Sequence, residues 1–426
     1  MELKNFVSGG VAAAKGFKAA GVYCGVKRAG YPSNTVTAAS ILANENIQRD
    51  HKPDLALIVS DVPCSAAAVF TKNLVKGAPI VVCKDHLAKS KIRAVIANSG
   101  NANTCNADGV EKAEAMCAMT AEALGIGAEE VLVASTGVIG QILPIEPIKE
   151  GIPYLVKNLA ADGTKAAEAI MTTDTVCKQC AVQVSIDGKA VTIGAMTKGS
   201  GMIHPNMATM LAFVTTDCAI SGEMLDKALR LVVADSFNML SVDGDTSTND
   251  TLAVIASGLA GNSEITAEGE DFDVFCKALL DVCIYLTRMM AKDGEGATKL
   301  IEAKVCGGAT VADAKTVAKS VICSPLLKSA MFGCDANWGR VLCAIGYSGA
   351  NTDVTKIDVT FRSAGGQITV CQNGAGVPFS EEIAKEVLSA DEIIVDITLR
   401  DGDACATAWG CDLTYDYVKI NGDYRT

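Results

Sequence analysis

The sequence predicts a mixed α/β fold, on three observations. Short apolar runs rich in Val, Ile and Ala recur early in the chain, at Leu55–Ser60, Ala66–Phe70, Pro79–Cys83 and Ala94–Ala97. Further on, Val110–Leu124 and Phe272–Ala291 carry apolar residues every three or four positions, the helical period. Between them, two alternating segments flank Asp187-Gly188, a pair that a type I′ hairpin turn favours.

Taken in order, the four early runs read as strands. Val110–Leu124 reads as a helix that Gly125 stops, and Val131–Ala134 as a buried strand running into Ser135-Thr136-Gly137. Helical patterns at Ile145–Leu159 and Lys165–Met171 lead to the hairpin, Cys180–Ile186 and Ala190–Met196. A flexible connection, Lys198-Gly199-Ser200-Gly201, is expected next, then a strand at Thr209–Thr215 and a helix at Glu223–Ser236. The polar stretch Asp243–Asp250 reads as a loop before the long helix Phe272–Ala291. The last third alternates helices and strands, closing with Asp396–Arg400 and Thr414–Ile420. No solenoid repeat or low-complexity tract interrupts this order.

The 426 residues, 49% hydrophobic and 20% charged, have a globular composition with enough chain for a large core. No apolar run approaches the roughly 18 residues of a membrane span. A formal net charge of −12 disfavours nucleic acid and anionic membranes as partners and favours small substrates. The N-terminal stretch lacks the apolar core of a signal peptide, so a cytoplasmic protein is expected, with its 17 cysteines as thiols. Most of these, such as Cys105, Cys117, Cys276 and Cys283, fall in apolar surroundings and are expected to be buried. Cys177 and Cys180 form the one close pair; no histidine or second pair completes a metal site there, and no metal is expected. With histidine only at 51, 86 and 204, outside any H-E-x-x-H or G-x-S-x-G context, triad and zinc chemistry are disfavoured.

A different nucleophile is available. The segment KGSGMIHPNMATMLAF, Lys198–Phe213, holds Thr209 near mid-chain. A threonine hydroxyl needs a base, and its own α-amine supplies one if the chain is cut just before it. Spacing alone also suits a plainer role, a β-branched strand residue within a methionine-rich core.

That segment resembles the cleavage-site signature of the ornithine acetyltransferase family, arginine-pathway enzymes that mature by self-cleavage before a threonine. The likeness runs through GFKAAGV (Gly16–Val22), PDLALIVSD (Pro53–Asp61), NSGNANTC (Asn98–Cys105), STGVIG (Ser135–Gly140) and MTTDT (Met171–Thr175). It continues through DGEGATKL (Asp293–Leu300), DANWGR (Asp335–Arg340) and the terminal NGDYRT (Asn421–Thr426), so it spans essentially the whole chain.

The resemblance implies cleavage between Ala208 and Thr209, with Thr209 as the nucleophile that carries acetyl from N-acetylornithine to glutamate. It implies an oxyanion hole at Thr136 and Gly137, and substrate contacts from Thr172, Lys198, Thr209, Glu295, Asn421 and Thr426. A cation and an anion suit the carboxylate and ammonium of amino acids, so Lys198 is expected to meet a carboxylate and Glu295 an amino group. Thr173 and Thr175 lie near enough to Thr172 to compete for its role. No cofactor is implied, and acetyl-CoA stays open as a second acetyl donor.

The implied architecture is an αββα sandwich over residues 1–290 with a smaller α/β domain at 291–426. The implied assembly is a heterotetramer, two each of chains 1–208 and 209–426. A self-cleaving amidase or aminopeptidase of similar layout, with water as acceptor, is the competing enzyme reading. A precursor-like protein that never cleaves is the non-catalytic one. One departure from the family pattern is the long Arg28–Lys52 stretch, where TAASILANENI is expected to add a surface helix.

Overall fold

A computed structural model describes residues 3–27, 38–204 and 210–422. Up to residue 256 its strands are β1 (Phe17–Val22), β2 (Leu55–Phe70), β3 (Ile92–Asn101), β4 (Val131–Val138), β5 (Lys178–Ile186), β6 (Lys189–Lys198), β7 (Leu211–Thr216), β8 (Leu240–Ser241) and β9 (Thr251–Ala256). Two of the expected runs are halves of one strand, the 16-residue β2. Its first half pairs antiparallel with β1 on one side and β3 on the other, and β4 joins β3 in parallel. Its second half pairs with β9, beyond which lie β7, β6 and β5. A register shift between Val59 and Cys64 marks where β2 passes from one layer to the other.

Side-chain alternation shows how these layers stack. On β7, Leu211 and Phe213 join a core with Leu57, Val95 and Val133, whereas Ala212 and Val214 join one with Leu229 and Leu279. β9 does the same, with Ala253 and Ile255 on one face and Leu252 and Val254 on the other. All six residues of each strand are buried, which is why apolar side chains stand on both faces of Leu211–Val214 and Leu252–Ala256. Helix Gly222–Ala234 and the long helix Glu270–Lys292 cover one outer face. Helices Ala78–Lys89 and Gly109–Leu124 cover the other through Val82, Cys83, Met116 and Cys117. The order is helix, sheet, sheet, helix: the expected αββα sandwich.

The remaining strands are β10 (Leu300–Gly308), β11 (Asp358–Ser363), β12 (Gly366–Gln372), β13 (Ala375–Gly376), β14 (Glu392–Thr398) and β15 (Ala404–Cys411). They form a second sheet in the order β13-β12-β11-β14-β10-β15-β8, so its last strand comes from the earlier part of the chain. Ala303, Val305 and Ala408 share a core with Phe275 and Leu279 of the long helix, which therefore packs against both sheets. Its apolar side chains recur at three- and four-residue spacing, with Glu270, Asp271 and Asp273 in the first turn and Lys292 in the last, as the helix dipole favours. No described helix is long and apolar enough to cross a membrane.

Several local expectations hold. Gly125 takes φ 68° and its amide closes the helix on Ala121 and Glu122. Asp187 and Gly188 take φ 51° and 66°, the left-handed pair of a type I′ turn. The Arg28–Lys52 stretch carries two short helices, Ala38–Leu42 and Glu45–Asp50; residues 28–37 lie outside the described ones. Gln48 bonds both the amide and the carbonyl of Tyr23, at 3.1 and 2.7 Å, which fastens the second helix to the body.

Others do not hold. Pro79–Cys83, expected as a strand, lies in helix Ala78–Lys89, where Pro79 occupies the first turn and Val82, Cys83 and His86 face inward while Val81 is exposed. Thr414–Ile420 falls largely in a helix, Tyr415–Gly422, and the Asp396–Arg400 strand stops at Thr398. Cys117 and Cys283 are buried as expected and Cys276 half-buried, but Cys105 is exposed.

Candidate active site

The ends of several elements converge on one cleft. It is lined by Thr136 and Gly137 at the end of β4, Lys198 at the end of β6, Met210 and Leu211 at the start of β7, and Asp250 just before β9. Thr172, Thr173, Gly201, Glu295 and Asn421 close it. Of the residues singled out from the sequence, Thr136, Gly137, Thr172, Lys198, Glu295 and Asn421 thus meet in one place. Ala208, Thr209 and Thr426 lie outside the described residues. None of the three histidines lines the cleft: His51 stacks on Tyr23, His86 bonds the Val131 carbonyl, and His204 bonds Ser241 at 3.0 Å.

Backbone geometry makes Gly137 a position for glycine. Its φ is 132°, and a Cβ there would sit 2.3 Å from the Gly100 carbonyl carbon. Gly100 stands opposite it in the parallel β3–β4 ladder, where the register breaks. Asn249 locks this strand end by donating to the Ser135 and Ala102 carbonyls at 2.9 and 2.5 Å. Thr104 and Thr248 hold the Asn249 carbonyl oxygen in turn.

Beneath the cleft lies a charged rack that the sequence reading did not single out. Lys178 is fully buried, with Asp174 at 2.7 Å and Asp293 at 2.5 Å. Asp174 also accepts the amides of Gly199 (2.7 Å) and Thr172 (3.0 Å), and Asp293 accepts the amide and hydroxyl of Thr175. The hydroxyl of Ser200 reaches the Asp293 carbonyl at 2.6 Å. The expected flexible connection after Lys198 is therefore pinned at Gly199 and Ser200. The rack also separates the three threonines: Thr172 and Thr173 line the cleft, while the Thr175 hydroxyl is taken by Asp293. One signal was legible, since Lys178 shares the inward-facing alternation of Cys180 and Val182.

Electrostatics follow from this burial. Burial alone would raise the Asp174 carboxyl, but the ammonium groups of Lys178 and Lys198 and the Gly199 amide hold it well below the usual carboxylate range. Burial pulls the Lys198 ammonium below its ordinary value, against the opposing pull of Asp174, Asp250 and Glu295. Burial pushes the Cys177 and Cys180 thiols up to about 11 and about 12, away from the range of a reactive thiolate.

The far wall joins distant segments. Asn421 donates to Glu295 at 2.7 Å, and the Glu295 amide bonds the Ser200 carbonyl at 3.0 Å. Asp243 accepts the amides of Met202 and Ile203 at 2.6 and 2.9 Å. Met202 itself is held at φ 55°, an unusual conformation for a non-glycine residue. A cation, carboxylates and glycine-shaped backbone around one cleft suit the recognition of a small zwitterion beside an acyl-transfer centre.

The comparisons with known proteins identify the family. The family model described as the ArgJ family matches residues 39–426. The arginine biosynthesis bifunctional protein ArgJ 1 of Clostridium acetobutylicum is 53% identical over 89% of this chain and 94% of its own. The ArgJ protein of Caldanaerobacter subterraneus is 48% identical over 97% of each. A solved ArgJ structure from Bacillus halodurans is 46% identical and covers 50% of this chain and 98% of its own, with a TM-score of 0.48. From residue 39 to its end the sequence fits one family model, and this chain belongs to the ArgJ family.

Proposed function

We propose that this chain is a glutamate N-acetyltransferase of arginine biosynthesis that cuts itself between Ala208 and Thr209 and then works through Thr209. The observation that supports this best is the meeting of Thr136 and Gly137 with Lys198, Glu295 and Asn421 in a cleft that Met210, the neighbour of Thr209, also lines. In this reading Lys198 receives a substrate carboxylate, and Glu295, braced by Asn421, an amino group. Thr172 and Thr426 complete the contacts.

The Thr209 hydroxyl attacks the acetyl carbon of N-acetylornithine while its proton passes to the Thr209 α-amine, whose ordinary pKa of about 7.7–8.0 suits a base near neutrality. The oxyanion of the tetrahedral intermediate accepts hydrogen bonds from the Thr136 hydroxyl and the Gly137 amide, each worth roughly 3–4 kcal/mol when aimed at charge that develops only there. The C–N bond breaks, ornithine leaves with the proton from the Thr209 ammonium, and acetyl remains on the threonine oxygen. Glutamate then enters, attacks the ester through its α-amine and regenerates Thr209, so the kinetics are ping-pong. No cofactor enters these steps, and supplying acetyl-CoA with glutamate in place of N-acetylornithine decides whether it is a second acetyl donor. We place the enzyme in the cytoplasm, as two copies each of chains 1–208 and 209–426. Residues 1–290 carry the cut site, and 291–426 complete the pocket.

Denaturing mass spectrometry tests the cut: two fragments meeting at 208/209 are expected, and an intact chain would remove self-processing. Thr209→Ala is expected to abolish both cleavage and transfer; retained transfer would take Thr209 out of the mechanism. Ornithine release from N-acetylornithine is expected to depend on glutamate, and equal release without it would make the enzyme a hydrolase.

A further inference from the structure

Self-cleavage raises a chemical difficulty that turnover does not. Before the cut, the nitrogen of Thr209 belongs to a peptide bond, and its delocalised lone pair is no base. The group that serves turnover does not yet exist, so the first acyl shift needs another proton acceptor. No histidine lines the cleft. Glu295 is engaged by Asn421, and Lys198, although burial pulls its ammonium below its ordinary value, is the cation that Asp174, Asp250 and Glu295 surround.

Asp250 answers this description. It directly precedes β9, which runs parallel to β7 with Thr251 opposite Leu211. The Thr251 amide donates to the Met210 carbonyl at 2.8 Å, so Asp250 lies level with Met210, the residue bonded to the carbonyl of Thr209. Its own carbonyl accepts the Thr71 amide at 3.0 Å, which fixes its backbone. Asp250 is 1% exposed, lines the same cleft as Thr136 and Gly137, and its Oδ2 has no hydrogen-bond partner among the described residues. An unpartnered carboxylate oxygen in so buried a place is costly unless it has something to do. Burial raises this carboxyl well above the usual range, against the Ser247 hydroxyl, Lys198, the Thr71 hydroxyl and the Met210 amide that face it. A raised carboxyl is the stronger base once ionised, and the Lys198 ammonium near it favours that ionised form.

We propose that Asp250 is the base of maturation, accepting the Thr209 hydroxyl proton in the uncut chain. The inference rests on the self-cleavage reading above. The O–H bond of Thr209 breaks, its proton moves to the Asp250 carboxylate, and the threonine oxygen bonds to the Ala208 carbonyl carbon. The oxyanion so formed faces Thr136 and Gly137. As the C–N bond breaks, the departing nitrogen takes the proton back from Asp250, leaving an ester at the threonine oxygen and a free α-amine. Water then hydrolyses the ester, releasing the Ala208 carboxylate and restoring the hydroxyl. From that point the α-amine is the base.

The test follows newly made full-length chain to its cut form by denaturing mass spectrometry. Asp250→Asn keeps the shape and loses the proton acceptor, and its cleavage is expected to slow about 100-fold or more. Hydroxylamine, which splits esters, is expected to leave this precursor intact, because the ester never forms. Asp250→Glu keeps a carboxyl and is expected to cleave faster than Asp250→Asn. Wild-type cleavage rates in Asp250→Asn, rapid cutting of it by hydroxylamine, or equal rates for the Asn and Glu variants would each overturn the proposal. A thermal midpoint for Asp250→Asn matching that of uncut Thr209→Ala shows that the rate is read on folded protein. If the wild-type chain itself stays whole, the self-cleavage reading fails; if it cuts and Asp250→Asn cuts equally well, only the role of Asp250 fails.

Discussion

The side-chain amide of Asn421 donates to Oε2 of Glu295 at 2.7 Å, joining residues 126 positions apart. The same amide reaches the Tyr417 carbonyl at 3.1 Å, so the closing helix both caps itself and holds a carboxylate in the cleft. A hydrogen bond to a charged group is worth about 1.5–3 kcal/mol. Asn421→Asp would face one carboxylate with another. The expected outcome is a KM for N-acetylornithine raised about tenfold or more, since 1.4 kcal/mol is a factor of ten, with a smaller change in kcat. Steady-state kinetics check this, and an unchanged KM would take the pair out of substrate binding.

Gly201 presses against the same carboxylate from the other side. A Cβ added there would lie 2.2 Å from the carboxyl carbon of Glu295. The carboxylate would have to leave its place beside Asn421. Gly201→Ala is therefore expected to cost on the order of 1–3 kcal/mol of stability and to raise KM. In a double-mutant cycle, adding Glu295→Ala should recover most of the lost stability while leaving KM high. Additive stability losses would show that the crowding lies elsewhere.

How far the sequence alone reached follows from the range of the interactions involved. The hairpin at Asp187-Gly188 and the helix stop at Gly125 were legible because a left-handed residue is a local demand. The long helix was legible because its apolar spacing repeats over many turns. Helix Ala78–Lys89 was not, since a short run such as Pro79–Cys83 suits a strand as well as a buried helix face. Six of the residues matched by family motif meet in one cleft, but of the rack beneath them only the inward-facing alternation of Lys178 was legible. Lys178 and Asp293 are 115 positions apart, and nothing local announces their pairing. Asp250 was read only as part of a polar loop, because its significance comes from the neighbouring strand.

Gly137 should tolerate nothing larger. Its φ of 132° disfavours any side chain, and a Cβ would overlap the Gly100 backbone. Gly137→Ala would therefore move the amide that we propose as an oxyanion donor. Loss of one such donor lowers kcat by about 10²–10³. Because the same amide would serve the self-cleavage intermediate, uncut chain should accumulate alongside the loss of transfer. Mass spectrometry and kinetics on one preparation check both, and a variant that transfers slowly but cuts at the normal rate would show that the two reactions use different oxyanion donors.

Asp174 makes acid stability a readout of the rack. Its carboxyl is held well below the usual range in the folded chain: burial opposes this, and Lys178, Lys198 and the Gly199 amide overcome it. Its folded pKa is thus depressed below the unfolded value of about 3.9, so its stabilisation is present above that value and is lost as the pH falls through it towards the folded one. Asp174→Asn removes this contribution and leaves Lys178 with Asp293 alone, at a cost of roughly 3–5 kcal/mol, the range for breaking a buried ion pair. Thermal midpoints measured from pH 7 down to about 3 should fall more steeply for the wild type than for the variant, the two curves drawing together at the acid end. Parallel curves would mean that folding leaves the Asp174 carboxyl unshifted, and a wild-type curve falling less steeply than the variant's would mean that the amides of Gly199 and Thr172 are held by a neutral acid.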